Sequence, residues 1–197
     1  MFRRGSVPYG GESPEDFWGA LRGVWFSPVR FFRMLDPRGG AIRPAIFASV
    51  VLYLDLLLEA TLQMLWLREF NYAMIYAPFL GLVVALVLAP LLVAGLAIVV
   101  LFILGGGKLS RGGFGPLFRS LGYASGIGFA LWIPFAPLFA VPYGAFVATV
   151  AVKETLNVGW PRAAAATLIP FGAVLLTVLA LLGPDEASGF LTNPPGS

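Results

Sequence analysis

The sequence predicts an all-α, polytopic membrane protein: five transmembrane helices preceded by short amphipathic interfacial helices. Composition carries the first part of this prediction, because 58% of the 197 residues are hydrophobic and 12% are charged, whereas about 25% charged residues is usual in soluble domains. The mean hydropathy is +0.85. A span needs about 20 apolar residues, so the chain has room for roughly five spans and one substantial segment outside the membrane.

The chain divides into four predicted segments. Residues 1–13 are rich in Gly, Pro and Ser and are expected to be disordered. Cytosolic amphipathic helices are predicted over residues 14–40, the transmembrane domain over 41–182 and a flexible C-terminal tail over 183–197. The arginines near the N-terminus are not followed by an apolar stretch, so we expect no cleavable signal peptide.

Two short amphipathic helices are predicted before the first span. Ser13 and Ser27 are each followed by a proline, and this pair is typical of a helix N-terminus. Both helices are predicted to lie in the membrane interface or to pack their aromatic side chains beneath the spans. The basic residues of this region are alternatively contacts for anionic lipid headgroups. These candidates are Arg22, Arg30, Arg33, Arg38 and Arg43.

Hydropathy divides the rest of the chain into five spans. They are predicted at residues 45–66, 79–104, 121–139, 141–157 and 162–182. The second contains Pro90, which predicts a tilt or a kink. The third and fourth form a tight helical hairpin that is predicted to break at Pro134, Pro137 and Pro142.

The distribution of basic residues predicts the orientation. With the N-terminus in the cytoplasm, twelve of the 13 Lys and Arg residues lie on the inner side and only Arg68 lies outside. Cytoplasmic loops of membrane proteins are enriched in Lys and Arg. We therefore predict a cytoplasmic N-terminus, an external C-terminus and an odd number of spans.

The first span carries an unusual polar stripe. Asp55, Glu59 and Gln63 follow one another at intervals of four residues, which places them on one face of a helix. An ionised residue at the centre of a span costs about 2.5–3.5 kcal/mol on insertion scales, so this face must meet other helices or water. No basic residue is predicted at the depth of these acids, which are therefore expected to be protonated, to bind a cation or to pair with hydroxyl groups.

Three roles are open for the stripe: hydrogen bonding between helices, a cation or proton site, and a contact between subunits. The hydroxyl groups of the other spans are the candidate hydrogen-bond partners. They belong to Tyr143, Thr149, Thr167 and Thr177. The residues alone do not decide whether a metal ion binds.

Two further motifs lie on the predicted cytosolic side. The glycine-rich loop at residues 105–116 lacks the spacing of a nucleotide-binding P-loop, because Leu109 stands where Ser or Thr must follow the lysine. Lys153 and Glu154 end the fourth span as candidate cytosolic contacts, either as a structural anchor or for a partner. Adjacent residues point about 100° apart on a helix, so each is predicted to pair elsewhere and not with the other.

Three stretches resemble the prokaryotic branch of the Yip domain family, relatives of the Ypt/Rab-interacting proteins of eukaryotes. They read "SPVRFFRML", "GPLFRSLGYASGIGFALWIPF" and "VAVKETLNVGWPRAAAATLIP", and the resemblance covers about residues 25–182. It implies five spans and a cytosolic N-terminus. In eukaryotic members it implies binding of prenylated Rab GTPases and roles in membrane traffic or membrane shaping.

Catalytic chemistry is restricted by two absent residue types. The sequence contains no Cys and no His, which excludes thiolate nucleophiles, Ser-His-Asp triads and Cys or His metal sites. Two acids one turn apart on a single helix also leave little room for a substrate between them. We predict no catalytic residue, no cofactor, no nucleotide and no nucleic-acid partner.

The expected function is therefore non-enzymatic. The protein is predicted to organise the membrane or to hold a partner through its amphipathic helices and cytosolic loops. The alternative is a small cation or proton transporter or channel that uses Asp55 and Glu59. Expected partners are the bilayer, including anionic lipid, and a second copy or another membrane protein. The expected location is a prokaryotic cytoplasmic membrane.

Overall fold

A computed structural model describes residues 16–36, 39–67, 73–105, 113–173 and 176–177. All regular secondary structure in these ranges is helical, which confirms the all-α prediction for the described part of the chain. Two of the described helices are long and apolar enough to cross a membrane, over Ile42–Leu65 and Pro78–Ile103. Five membrane-crossing helices are not confirmed by this criterion.

The helices follow one another in a simple order. They are α1 (Phe17–Phe26), α2 (Pro28–Met34), α3 (Ile42–Leu67), α4 (Ala73–Ile103), α5 (Phe114–Ala124), a 3₁₀ helix (Ser125–Ala130), α6 (Pro137–Leu156) and α7 (residues 160–173). Helix α1 begins after the extended residue Asp16, three residues later than the predicted start. Pro28 is the first residue of α2, as predicted, although the Ser27 side chain makes no capping hydrogen bond. The predictions for residues 1–13, 183–197 and Arg38 lie outside the described residues.

Helices α3 and α4 correspond to the first two predicted spans and pack against each other. The contacting side of α4 carries Ala85, Ala89, Val93 and Ala97, all buried at intervals of four residues. Small side chains allow helices in a membrane to approach closely and gain van der Waals contacts. Most of the remaining large apolar side chains of α4 are exposed, as expected for a surface that faces lipid.

The third predicted span is wrong as a single helix. Helix α5 ends at Ala124, the 3₁₀ helix follows, and a turn over residues 131–136 leads into α6. Gly126 lies in the 3₁₀ helix and permits the close approach of α3, because a Cβ atom there would lie 3.1 Å from the ring of Phe47. Phe135 adopts a positive φ of 67° in the turn. Such a backbone is rare for a bulky residue and ends helical continuity.

Helix α6 begins earlier than the fourth predicted span. Pro137 occupies its first turn, where a missing backbone N–H leaves no hydrogen bond unmade. Pro142 lies inside the helix, so the predicted break at this residue is wrong. The predicted C-terminus is confirmed: Asn157 takes the left-handed conformation with φ 51° and ψ 43°, which asparagine tolerates. Residues 174–175 and 178–182 of the fifth predicted span lie outside the described residues.

Two buried clusters hold the helices together. One joins α1 and α2 to α3, α5, the 3₁₀ helix and α6. The other joins α3, α4, α5, α6 and α7. The first cluster shows that α1 and α2 are part of the packed core. We refer to residues 17–34, which comprise these two helices, as the N-terminal hairpin.

Candidate functional site

The N-terminal hairpin is fastened to the bundle by its apolar face. Leu21 and Val24 of α1 are buried, and the Phe31 ring of α2 meets the Tyr123 ring edge-on, with 5.6 Å between centroids. Gly23 permits the close approach of the two helices, because a Cβ atom there would lie 2.5 Å from Phe31. Buried aromatic pairs of this geometry add about 0.5–1.5 kcal/mol beyond area burial. These contacts confirm the predicted aromatic packing of the hairpin against the bundle.

Polar contacts fix the position of the hairpin. The indole Nε1–H of Trp25 donates to the Gly126 carbonyl at 3.0 Å. The hydroxyl of Tyr143 donates to the Trp25 carbonyl, and the guanidinium of Arg119 donates to the Asp36 carbonyl just after α2. Each bond joins residues that are far apart in sequence, so the hairpin has one defined position on α5, α6 and the 3₁₀ helix.

An ion-pair cluster joins the hairpin to the end of α6. Arg33 Nε lies 3.2 Å from Glu154 Oε2 and Arg33 Nη2 lies 3.4 Å from Oε1. Lys153 Nζ lies 2.6 Å from Glu154 Oε1, so the prediction that these neighbours do not pair is wrong. The long lysine side chain bends along the helix surface, with Nζ 5.3 Å from the centre of the Trp160 ring. The reach of this apolar stem overcomes the angular separation of adjacent residues.

The outward face of the hairpin is aromatic and basic. Trp18 and Phe26 are 64% and 80% exposed, and Arg22 is exposed between them at helical spacing. A groove of about 410 Å³ lies beside this face and is also lined by Phe129 of the 3₁₀ helix. Aromatic and basic side chains together are typical of the boundary between hydrocarbon and headgroups.

The five predicted lipid-contacting arginines fall into different environments. Arg22 and Arg30 are exposed on α1 and α2, and Arg43 is exposed in the first turn of α3. Arg33 is also exposed but pairs with Glu154. Lipid contact by these residues stays a prediction.

The polar stripe of α3 separates into two environments. Asp55 is only 9% exposed, and its Oδ1 accepts a hydrogen bond of 2.9 Å from the backbone N–H of Trp132. Glu59 and Gln63 are exposed, and the Gln63 amide donates to Glu59 Oε1 at 3.2 Å. Asp55 therefore connects α3 to the turn before α6, whereas the other two residues bond to each other on the surface.

The hydroxyl partners predicted for the acids are wrong. Tyr143 bonds to Trp25, and the hydroxyls of Thr149 and Thr167 lie 2.6 Å from each other between α6 and α7. Thr177 donates to the Ala173 carbonyl. The actual donor to Asp55 is a backbone group. The glycine- and proline-rich sequence before α6 could have indicated such a donor. A helix that is broken there leaves backbone N–H groups that need acceptors.

Asp55 also lines a cavity of about 390 Å³ inside the helical bundle. The lining comes from α3, α4, α5, the 3₁₀ helix, α6 and α7 and is almost entirely apolar, with Asp55 as its charged residue and Ser125 as a polar neighbour. No group of three or more acidic residues that could hold a metal ion occurs in the described ranges. The cavity and the carboxylate together have the features of a site for a small apolar ligand.

The chain matches a known domain family. A family model described as the Yip1 domain matches residues 22–182. No curated protein and no solved structure matches the chain. The matched region begins inside α1 and includes every described helix that follows it.

Proposed function

The chain belongs to the Yip1 domain family, and from this premise we propose that it organises the inner leaflet of a membrane through the outward face of its N-terminal hairpin. Membership of the family supports a membrane protein of non-enzymatic kind. The proposal adds a site, the face formed by Trp18, Arg22 and Phe26, and a partner, anionic phospholipid.

One observation carries the proposal: the hairpin is fixed to the bundle on one side and presents large aromatic groups with an arginine on the other. Trp18 and Phe26 are the exposed anchors, and Arg22 lies between them beside the groove. Tryptophan is favoured at the interface because its ring is apolar and its N–H remains hydrated. A juxtamembrane Arg attracts anionic lipid by about 1 kcal/mol.

Because the hairpin has a fixed position, it is expected to contact lipid at one defined place beside the bundle. A free amphipathic helix loses conformational entropy when it orders on a membrane, whereas a helix that is already held by Trp25 and Phe31 contacts does not. The hairpin can therefore order the lipids next to the bundle without first folding. We propose lipid ordering as its role, in preference to reversible recruitment to the membrane.

Fluorescence quenching tests the lipid contact. The purified protein is reconstituted with bromine-labelled phosphatidylglycerol or bromine-labelled phosphatidylcholine, and the Trp18 signal is taken as the difference between the parent and Trp18→Phe. We expect stronger quenching of Trp18 by the anionic lipid and loss of this preference in Arg22→Gln. Arg162→Gln is the matched control, because Arg162 is an exposed arginine on α7 and is not part of the hairpin.

Two results would refute the proposed contact. Equal quenching by both lipids in the parent would show that the face has no preference for anionic lipid. A loss of preference in Arg162→Gln equal to that in Arg22→Gln would assign the effect to overall charge. Point substitutions are required here, because deleting residues 14–36 would also remove the buried residues Val24 and Phe31.

We further propose five spans in a prokaryotic cytoplasmic membrane, with the N-terminus inside and the C-terminus outside. The excess of basic residues on the assigned inner side supports this topology. The absence of cysteine makes it directly testable in cells with a membrane-impermeant maleimide. We expect Ser188→Cys to be labelled from outside and Ser110→Cys only after permeabilisation. The opposite labelling would reverse the topology.

Transport through Asp55 and Glu59 stays a prediction. The first is buried against Trp132 and the second is exposed and paired with Gln63, so the two acids are not held around one site. Assembly with a second copy or another membrane protein also stays a prediction.

A further inference from the structure

We propose that the cavity beside Asp55 binds a lipophilic amine, a molecule with one apolar body and one protonated amino group. This inference concerns the interior of the bundle and does not depend on the hairpin's contact with lipid. It rests on three features of the described residues: the size and chemistry of the cavity, the position of its mouth, and the bonding of the carboxylate.

The size of the cavity suits a small ligand. Its volume of about 390 Å³ lies within the range of roughly 300–1,000 Å³ that is usual for small-molecule sites. Alanines and glycines, including Ala89 and Gly144, keep the interior open between the helices. The volume is at the lower end of the range, which favours a single apolar body over a lipid with two acyl chains.

Part of the cavity lining lies at the apolar outer surface of the bundle. Among the lining residues, Leu92 of α4, Val141 of α6 and Phe171 of α7 are exposed on the apolar outer surface. From these exposed lining residues we infer an entrance that opens towards hydrocarbon, by which a ligand would enter from the bilayer after partitioning into it. This route selects for membrane-soluble molecules.

The carboxylate supplies the specificity. Oδ1 of Asp55 already accepts the Trp132 N–H, and the structure gives no second hydrogen bond to this carboxylate from any described residue. No described Lys or Arg lines the cavity. A protonated amine would supply both a donor and the missing positive charge, and such charge-assisted hydrogen bonds are roughly twice as strong as neutral ones. An anionic headgroup would be repelled at the same position.

Binding of dodecylamine to the full-length protein in detergent tests the inference. Radiolabelled dodecylamine is the probe, and unlabelled dodecylamine and dodecanol are the competitors. Asp55→Asn removes the charge but keeps an oxygen that can accept the Trp132 N–H. Glu59→Gln is the matched control, since Glu59 is an acid one turn away and is exposed. Gly144→Val places extra volume in the lining.

We expect saturable binding of one dodecylamine per chain, with dodecanol a weaker competitor. Asp55→Asn is expected to weaken amine binding by about tenfold or more, the scale of one hydrogen bond to a charged group. Glu59→Gln should bind like the parent, and Gly144→Val should lose binding because the space is filled. Unfolding without ligand is measured for every variant, so that loss of fold is not mistaken for loss of binding.

Several results would overturn the inference. Non-saturable uptake would show simple partitioning into the detergent. Equal competition by dodecanol and dodecylamine, or full binding by a folded Asp55→Asn variant, would show that the charge is not used. Equal losses of dodecylamine binding in Glu59→Gln and Asp55→Asn would show that the amine does not bind at the carboxylate in the cavity. Each of these failures leaves the lipid-quenching experiment on the hairpin unaffected.

Discussion

Replacing Asp55 with alanine is expected to destabilise the fold through the turn that precedes α6. The N–H groups on either side of Trp132 are satisfied locally, since Leu131 donates to Gly128 and Ile133 donates to Ala130. The Trp132 N–H instead donates to Asp55 at 2.9 Å. Alanine removes this acceptor and leaves one part-buried backbone donor without a partner.

The size of the effect follows from that single bond. An unsatisfied buried donor costs about 1–3 kcal/mol of unfolding free energy. Asparagine retains an acceptor oxygen at nearly the same place, so Asp55→Asn is expected to cost less than about 1 kcal/mol. Glu59→Ala serves as the control, because its side chain is exposed and its described hydrogen bond is to Gln63 alone.

Reversible unfolding in mixed detergent micelles, followed by circular dichroism, measures these differences. We expect similar unfolding free energies for the parent, Glu59→Ala and Asp55→Asn. Asp55→Ala should have a clearly lower unfolding free energy. An Asp55→Ala variant as stable as the parent would show that the bond to the turn contributes nothing. Equal destabilisation by Glu59→Ala would show that the polar stripe acts as one unit, against the separation described above.

Three further substitutions test the attachment of the hairpin, each by the same unfolding measurement. Gly23→Ala forces a methyl group against Phe31 and should cost about 1–3 kcal/mol by overpacking, whereas Gly40→Ala has open space and should cost little. Trp25→Phe keeps the ring but removes the indole donor, with an expected loss of about 0.5–1.5 kcal/mol. Glu154→Gln weakens the ion pairs at the end of α6 and should cost at most about 1 kcal/mol, because its arginine partner is 67% exposed.

Each of these expectations has a contrary result. Equal stability of the Gly23 and Gly40 variants would mean that α1 and α2 do not pack as closely as the structure has them. A Trp25→Phe variant as stable as the parent would show that Trp25 stabilises the fold through the packing of its ring and not through its hydrogen bond. A large loss of unfolding free energy in Glu154→Gln would show that these surface ion pairs stabilise the fold more than exposed charges usually do.

Local features of the fold could be predicted because they depend on neighbours in sequence. The first two spans follow from long apolar runs: α3 covers all of the first predicted span, and α4 covers the second except Leu104 and begins six residues before it. Pro28 at the start of α2 and the helix end before Asn157 follow from the backbone preferences of proline and asparagine. The aromatic side chains of the hairpin could be predicted to pack against the spans, but their individual partners could not.

The errors have a common physical cause. The region after α5 is apolar enough to be predicted as a span, but it forms a 3₁₀ helix and a turn that contact Phe47 and Trp25 through Gly126. The hydroxyl partners predicted for the acids bond elsewhere, and a backbone N–H takes their place at Asp55. Every residue carries a backbone donor or acceptor, so sequence alone does not identify which one will be left for a buried side chain.

The sequence by itself determined the class of protein, the membrane environment, the all-helical architecture and the presence of acids in the first long helix. These features depend on composition and on the spacing of apolar and polar residues along the chain. Tertiary structure decided the roles of those acids: it buried Asp55 against a broken helix and left Glu59 on the surface. It also placed the N-terminal hairpin in the core and formed a cavity lined by several helices. These outcomes depend on contacts between residues far apart in the chain, whose geometry is set only when the helices pack.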